Sequence, residues 1–266
     1  MNLKNFTLLF LNLFVVSIFC RVSLAQDIIL ATDDTPGVPY IMGEGTNFNW
    51  DKPGIEIEIY KLMEKKLNLK IKFFRYPWER CLNYVKAGKV DGIFPTSFKP
   101  ERKEIGVYPT KKNGEIDTNR KTRDTAYYLY KNKNSNVEWN GKDFINLNGS
   151  IGAPIGWAVV SDLKNKGVNV TEIVLSSESL NMVLKNRLAG IACLSTVLDF
   201  YIEQEPLKYK DIVKVYPALS EKPYYLMFSH QFFHKNPELA EQIWDTIAEI
   251  QNSEEFKKVV NKYKVD

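Results

Sequence analysis

The sequence predicts an α/β fold built from two units in tandem, each a mostly parallel sheet with helices on its faces. Three observations carry that expectation. Apolar runs rich in β-branched residues alternate with segments of helical apolar spacing between residues 27 and 94. The same alternation starts again near Ile151 and continues to Tyr216. Two tyrosine-rich extended segments, 125–131 and 222–229, cross between the units. No fixed-period repeat or low-complexity stretch is present, so the units share a pattern and not a sequence.

In chain order, "DIILAT" (27–32) reads as a buried strand. A Gly/Pro-rich loop, Asp33 to Pro53, leads to a helix whose stripe is Ile55, Ile59, Leu62, Met63 and Leu67. "KIKFF" (70–74) is the second strand. Pro77 suits the first position of a helix carrying Trp78, Cys81, Leu82 and Val85, and Gly88 closes it. "VDGIF" (90–94) is the third strand, followed by a Pro-bounded loop, "FPTSFKPERKEIGVYPT" (94–110).

The second unit follows the turn-rich stretch Asn132–Gly149. It reads as a strand near Ile151, a helix over Val159–Lys166 stopped by Gly167, and a strand at Glu172–Leu175. A helix over Ser179–Asn186, a strand at Gly190–Leu194, a helix over Val197–Gln204 and a strand at 212–216 complete it. After the second crossover, "HQFFH" (230–234) reads as extended. Asn236 and Pro237 then start a helix with Leu239, Ile243, Trp244, Ile247 and Ile250 on one side. Glu254–Tyr263 reads as an amphipathic helix.

Residues 1–25 have the layout of a secretory signal peptide: Lys4, an apolar run from Phe6 to Phe19, then Ser23 and Ala25 before a cut at Gln26. The run is too short for a spanning helix. An uncleaved anchor is one alternative, and lipid attachment at Cys20 another, although the bulky Phe19 opposes it. Removing Lys4 and Arg21 lowers the formal charge of +4 by two, so the exported chain is close to neutral. Such a chain offers no concentrated basic surface for nucleic acid. Cys81 and Cys193 fall in different units and read as buried small hydrophobes. With two histidines in the chain, a His-based metal or triad site is not expected, nor is a cofactor. Gly43-x-Gly45 lacks the third glycine and the strand–helix step of a dinucleotide fingerprint.

The loop at 94–110 is where chemistry concentrates. Thr96 and Ser97 stand five residues or so ahead of Arg102, giving either a solvated turn or an anion clamp of two hydroxyls and a guanidinium fork. Arg80 opposes the dipole of its helix at the first turn, which invites a functional reading, with Trp78 as an aromatic wall beside it. Neutralisation by Glu79 and a core Trp78 is the plainer alternative. "GAPIGWA" (152–158) ends a strand and opens a helix, so Gly156 and its neighbours present backbone N–H groups to an anion, with Trp157 beside them as a ligand contact or as a core or rim aromatic. Tyr40, beside Pro39 in the mouth loop, serves equally as a contact or as packing.

The stretch "GIEIEIYKLMEKKLNLKIKFFRYPWERCLNYVKAGKVDGIFPTSFKPER" (54–102), taken with "IGAPIG" and the C-terminal helices, resembles the extracellular solute-binding proteins of family 3. The resemblance implies a two-lobed, type II periplasmic-binding fold. Lobe 1 would comprise residues 26–125 and 224–266, lobe 2 residues 126–223, and the two tyrosine-rich segments would form the hinge. It also implies that Ser97 and Arg102 hold a ligand carboxylate. The family's ammonium-binding aspartate has no counterpart: "AGIACLST" offers Leu194, Ser195 and Thr196, with no acid until Asp199, leaving Asp33, Asp34 or Glu44 to supply a charge. The expected protein is thus a periplasmic, monomeric, non-catalytic receptor for a small, carboxylate-bearing, amino-acid-like ligand. Its partner would be an ABC permease or a membrane sensor. The rival is a dehydratase-like enzyme on the same fold, which needs a buried cleft carboxylate without a cationic partner. Glu44, Glu56 and Glu58 are its candidates, the last two expected on a helix surface.

Overall fold

The structure, a computed structural model, describes residues 26–263. The signal-peptide reading and Cys20 therefore lie outside the described residues. Among those described, no helix is long and apolar enough to cross a membrane.

The first half follows the predicted rhythm. Strand β1 (Gln26–Asp33) leads through the mouth loop to helix α1 (Ile55–Leu67), β2 (Leu69–Tyr76), α2 (Trp78–Lys86) and β3 (Gly92–Ser97). β1 pairs in parallel with both β2 and β3. Its pleat sends Ile28 and Leu30 to the core shared with α1, and Ala31 to the opposite face with Cys81 and Val85 of α2. α1 ends at Asn68 in the left-handed region, φ 51°, and Gly88 takes φ 65° just beyond α2.

β3 runs three residues past the predicted end, through Pro95 to Ser97. The ladder explains the tolerance: β1 covers β3 only at Gly92 and Ile93, so Pro95 is required to donate no hydrogen bond on that side. A 3₁₀ turn, Pro100–Glu104, follows.

β4 (Arg123–Asn132) is the first crossover. A small hairpin, β5 (Glu138–Trp139) and β6 (Phe144–Ile145), precedes β7 (Ile151–Pro154), α3 (Ala158–Asn165), β8 (Val170–Ile173), α4 (Ser179–Leu184), β9 (Gly190–Leu194) and α5 (Ser195–Gln204). The strands predicted at 212–216 and 222–229 are one long strand, β10 (Ile212–Phe228), whose register against β4 shifts between Val215 and Ser220. "HQFFH" is helical and not extended: α6 (His230–Lys235) is capped by the Ser229 hydroxyl, which accepts from Phe232 N. α7 (Pro237–Gln251) and α8 (Glu254–Tyr263) close the chain.

The two expected sheets are joined into one eight-stranded order, β2-β1-β3-β10-β4-β9-β7-β8. They merge because the crossovers pair with each other, β4 antiparallel to β10, and each also borders one half-sheet. α1, α7 and α8 cover the outer face of the first half, where Trp244 is fully buried and donates Nε1–H to Leu226 O at 2.8 Å. Cys81 and Cys193 are buried and free, as the sequence suggests.

Candidate functional site

The parallel strands of both halves point their carboxyl ends into one cleft, where ligands of open α/β sheets bind. β1 ends there at Asp33, β3 at Ser97 and β9 at Leu194. The crossovers floor the space. Ser97 of β3 pairs with Tyr224 of β10, and Tyr224 pairs in turn with Arg123 of β4, so the three share a row and a face. Tyr127, four residues on from Arg123, stays on that face and pairs with Leu194. A cavity lined by residues of both halves sits over this floor.

Arg102 is drawn inward from the 3₁₀ turn and is 6% exposed. Its Nη1 donates to Ser97 O and to Ser97 Oγ, both at 3.0 Å, and Nη2 donates across the cleft to Gly156 O at 3.1 Å. Its guanidinium lies 5.6 Å from the Trp78 ring. Tyr108 adds a second donor to Ser97 O at 2.9 Å. Ser97, Arg102, Trp78 and Trp157 all line the cavity. Gly156, at φ 73°, does not line it, but its carbonyl bonds Arg102 and its missing Cβ lets the chain approach Glu79 and Trp78.

Three other candidates are not brought to the cavity lining. Thr96 is fully buried on the opposite face from Ser97 and donates Oγ1–H to Ile93 O, because successive strand residues alternate sides. Arg80 is exposed and lies over Tyr76 at 6.0 Å; two residues along a helix from Trp78, it points away from whatever Trp78 faces. Tyr40 sits behind the lining, its ring 4.1 Å from the Arg123 guanidinium.

The acid that matters locally is Asp33. Its Oδ1 accepts from Thr35 N and Oγ1, and its Oδ2 from Trp157 Nε1 at 3.3 Å, reaching from one lobe to the other. Burial pushes its carboxyl up to about 6, although the Thr35 and Trp157 bonds pull the other way. Among the described residues it has no ion-pair partner. Glu44 of the mouth loop accepts from Tyr201 OH of α5 at 3.0 Å, a further bond between lobes. Arg75 pins that loop: its fully buried guanidinium donates to the carbonyls of Asp33, Thr35, Met42 and Asn47.

Glu56 departs from the expected helix surface. It is 1% exposed in the first turn of α1, 3.6 Å from Arg123 Nε. Burial raises its carboxyl, with Arg123 opposing. Sequence reasoning overlooked Arg123 and Tyr224 as lining, and left Asp33 as one unplaced acid of three. The end of a strand was a usable signal for Asp33. For Arg123 none existed, since only strand register brings it beside Ser97. Thr196, noted where an acid was expected, lines the cavity, and its hydroxyl has no partner among the described residues. Those residues include no cluster able to hold a metal ion.

Two lobes joined by paired strands, with a lined cavity between them, define the type II periplasmic-binding class of ligand receptors. The chain belongs to the bacterial extracellular solute-binding proteins, family 3, which match it over residues 28–266. Among curated proteins none matches this sequence. Solved structures with the same fold include the substrate-binding protein of an amino-acid ABC transporter, at 19% identity and TM-score 0.67, covering 90% of this chain and 99% of that one. A histidine kinase sensor domain aligns at 11% identity and TM-score 0.70, covering 91% and 97%. An ancestral amino-acid-binding protein described as a precursor of cyclohexadienyl dehydratase aligns at 15% identity and TM-score 0.65, covering 89% and 94%.

Proposed function

We propose that the chain is a periplasmic solute receptor that takes a small, carboxylate-bearing, amino-acid-like molecule into the interlobe cavity and delivers it to an ABC importer. Lobe 1 would be residues 26–125 with 224–266, and lobe 2 residues 126–223. The observation that carries this reading is Arg102: a buried guanidinium in the cavity wall, held by Ser97 on its own lobe and by Gly156 on the other. A carboxylate arriving there gains charge-assisted bonds, and the grip on Gly156 couples its capture to closure. Asp33 supplies the counter-charge for an ammonium, in place of the acid missing after β9.

The experiment is a thermal-shift and calorimetric screen of the exported chain against amino acids, dicarboxylates and aromatic acids. A true ligand at about 100 times its Kd adds roughly 2.7 kcal/mol. Arg102→Met should abolish that gain. A screen with no stabilising carboxylate, or an Arg102→Met protein that binds as before, would sink the reading.

A membrane sensor as partner fits the same cavity, and the sensor-domain neighbour supports considering it. The enzyme reading draws on one feature, the unpaired and raised Asp33 at the cavity. It requires turnover of a cyclohexadienyl acid that is lost in Asp33→Asn. Binding without turnover excludes it.

A further inference from the structure

The cavity contains a second guanidinium. Arg123 opens β4, is 8% exposed and lines the same space as Arg102. Its place in the Ser97–Tyr224–Arg123 row sets its Cα two strand spacings from Ser97, about 10 Å, on the same face of the sheet. The guanidinium carbon lies over the Tyr40 ring, 4.1 Å from its centroid. Such stacking occupies the face of the guanidinium and leaves its in-plane donors unspent. Nε and Nη1 make no hydrogen bond within the described residues, and Nε stands at 3.6 Å from Glu56, beyond hydrogen-bond reach. Both Glu56 oxygens also lack a hydrogen bond. Nε and Nη1 are sealed from the cavity beside Glu56, so acceptor atoms in the cavity meet the Nη2 end of the fork, which makes no hydrogen bond within the described residues.

We infer that Arg123 is a second anion-reading point, so that the ligand is a dianionic small molecule with one acid end on Arg102 and the other on Arg123. This rests on Arg102 as the first anchor. Glu56, behind Arg123, tempers the charge of the subsite, and Tyr40 fixes the orientation of the fork. Tyr40, outside the cavity lining, thereby acts as a positioning residue.

The test compares chain-matched probes by calorimetry: glutarate against valerate, and L-glutamate against L-glutamine, L-norvaline and L-lysine. In the native chain the second carboxylate should improve Kd about ten-fold or more, as expected for one added charge-assisted pair. Arg123→Gln alone leaves Glu56 buried without its cation and risks misfolding. The paired change Arg123→Gln with Glu56→Gln removes both charges together. It should collapse the dianion preference, read as the ratio of monocarboxylate to dicarboxylate Kd, toward unity. Glu56→Gln alone should widen the preference, which a merely structural role would not do. An unchanged preference in the paired variant overturns the inference, as does equal binding of glutamine and glutamate or tighter binding of lysine. If monocarboxylates bind through Arg102 and dicarboxylates bind no better, this inference alone fails. If no carboxylate of either kind binds, the reading of Arg102 fails and takes this one with it.

Discussion

Trp157 Nε1 donates to Asp33 Oδ2 at 3.3 Å, joining the start of α3 in one lobe to the end of β1 in the other. With the Arg102–Gly156 and Tyr201–Glu44 bonds, it holds the lobes together over the cavity.

Burial of the Asp33 carboxyl should make stability depend on pH. The Asp33 carboxyl is raised from 3.8 to about 6, chiefly by burial. The folded chain therefore binds this proton more tightly than the unfolded chain does. The resulting stability is complete below 3.8 and is lost as pH rises through about 6. Scanning calorimetry of ligand-free native protein and Asp33→Asn, taken as a difference, should show the native chain losing ground over that window. A flat difference would mean that the carboxyl is solvated.

Gly156→Ala should loosen closure. The position has φ 73°, and a Cβ there would stand 3.1 Å from Glu79 Cγ on the facing lobe. The left-handed backbone alone costs an alanine roughly 1–2 kcal/mol. Solution scattering should show a larger radius of gyration, together with a lower Tm. An unchanged radius would show that the facing helix yields.

Arg75→Met should free the mouth loop, including the part of it that lines the cavity. Its guanidinium satisfies four carbonyls, and leaving buried acceptors unpaired costs about 1–3 kcal/mol each. Amide exchange at Gly45 and Asn49, whose N–H groups bond Asp34 O and Met42 O, should accelerate. Exchange in α7 should not change. Equal protection throughout would contradict the role given to Arg75.

Trp244→Phe tests the outer core of lobe 1. It removes the donor to Leu226 O and part of a packed group with Phe228 at 5.1 Å and Phe233 at 5.9 Å. We expect a loss of about 1–3 kcal/mol in urea unfolding with an unchanged slope. A loss below about 0.5 kcal/mol would mean that water replaces the donor.

Much of the scaffold was readable because its signals are local. Helix α1 spans the predicted residues, and the strands of the first half lie within a few residues of their expected bounds. The errors came where local signals conflict with pairing. The loop bounded by Pro95 and the two separate strands at 212–216 and 222–229 are the expectations, yet β3 and β10 continue because neighbouring strands leave positions unpaired or shift register. α6 was overlooked because six residues with Phe232 alone buried carry little periodicity, although Ser229 was there as a cap.

The site divides in the same way. Residue type and position along the chain singled out Arg102, Ser97, Trp78 and Trp157, because an arginine after a strand-end hydroxyl and aromatics at helix starts are features of contiguous sequence. Side-chain direction separated these from Thr96 and Arg80, one residue and two residues away from lining positions. Residues 97, 123 and 224 became neighbours only through sheet register, and Asp33 met Trp157 only across the cleft. Periodicity and capping act over a few residues and are written in the chain. Register and lobe closure join groups far apart in the chain, such as Ser97 with Tyr224 or Asp33 with Trp157, and no local pattern encodes them.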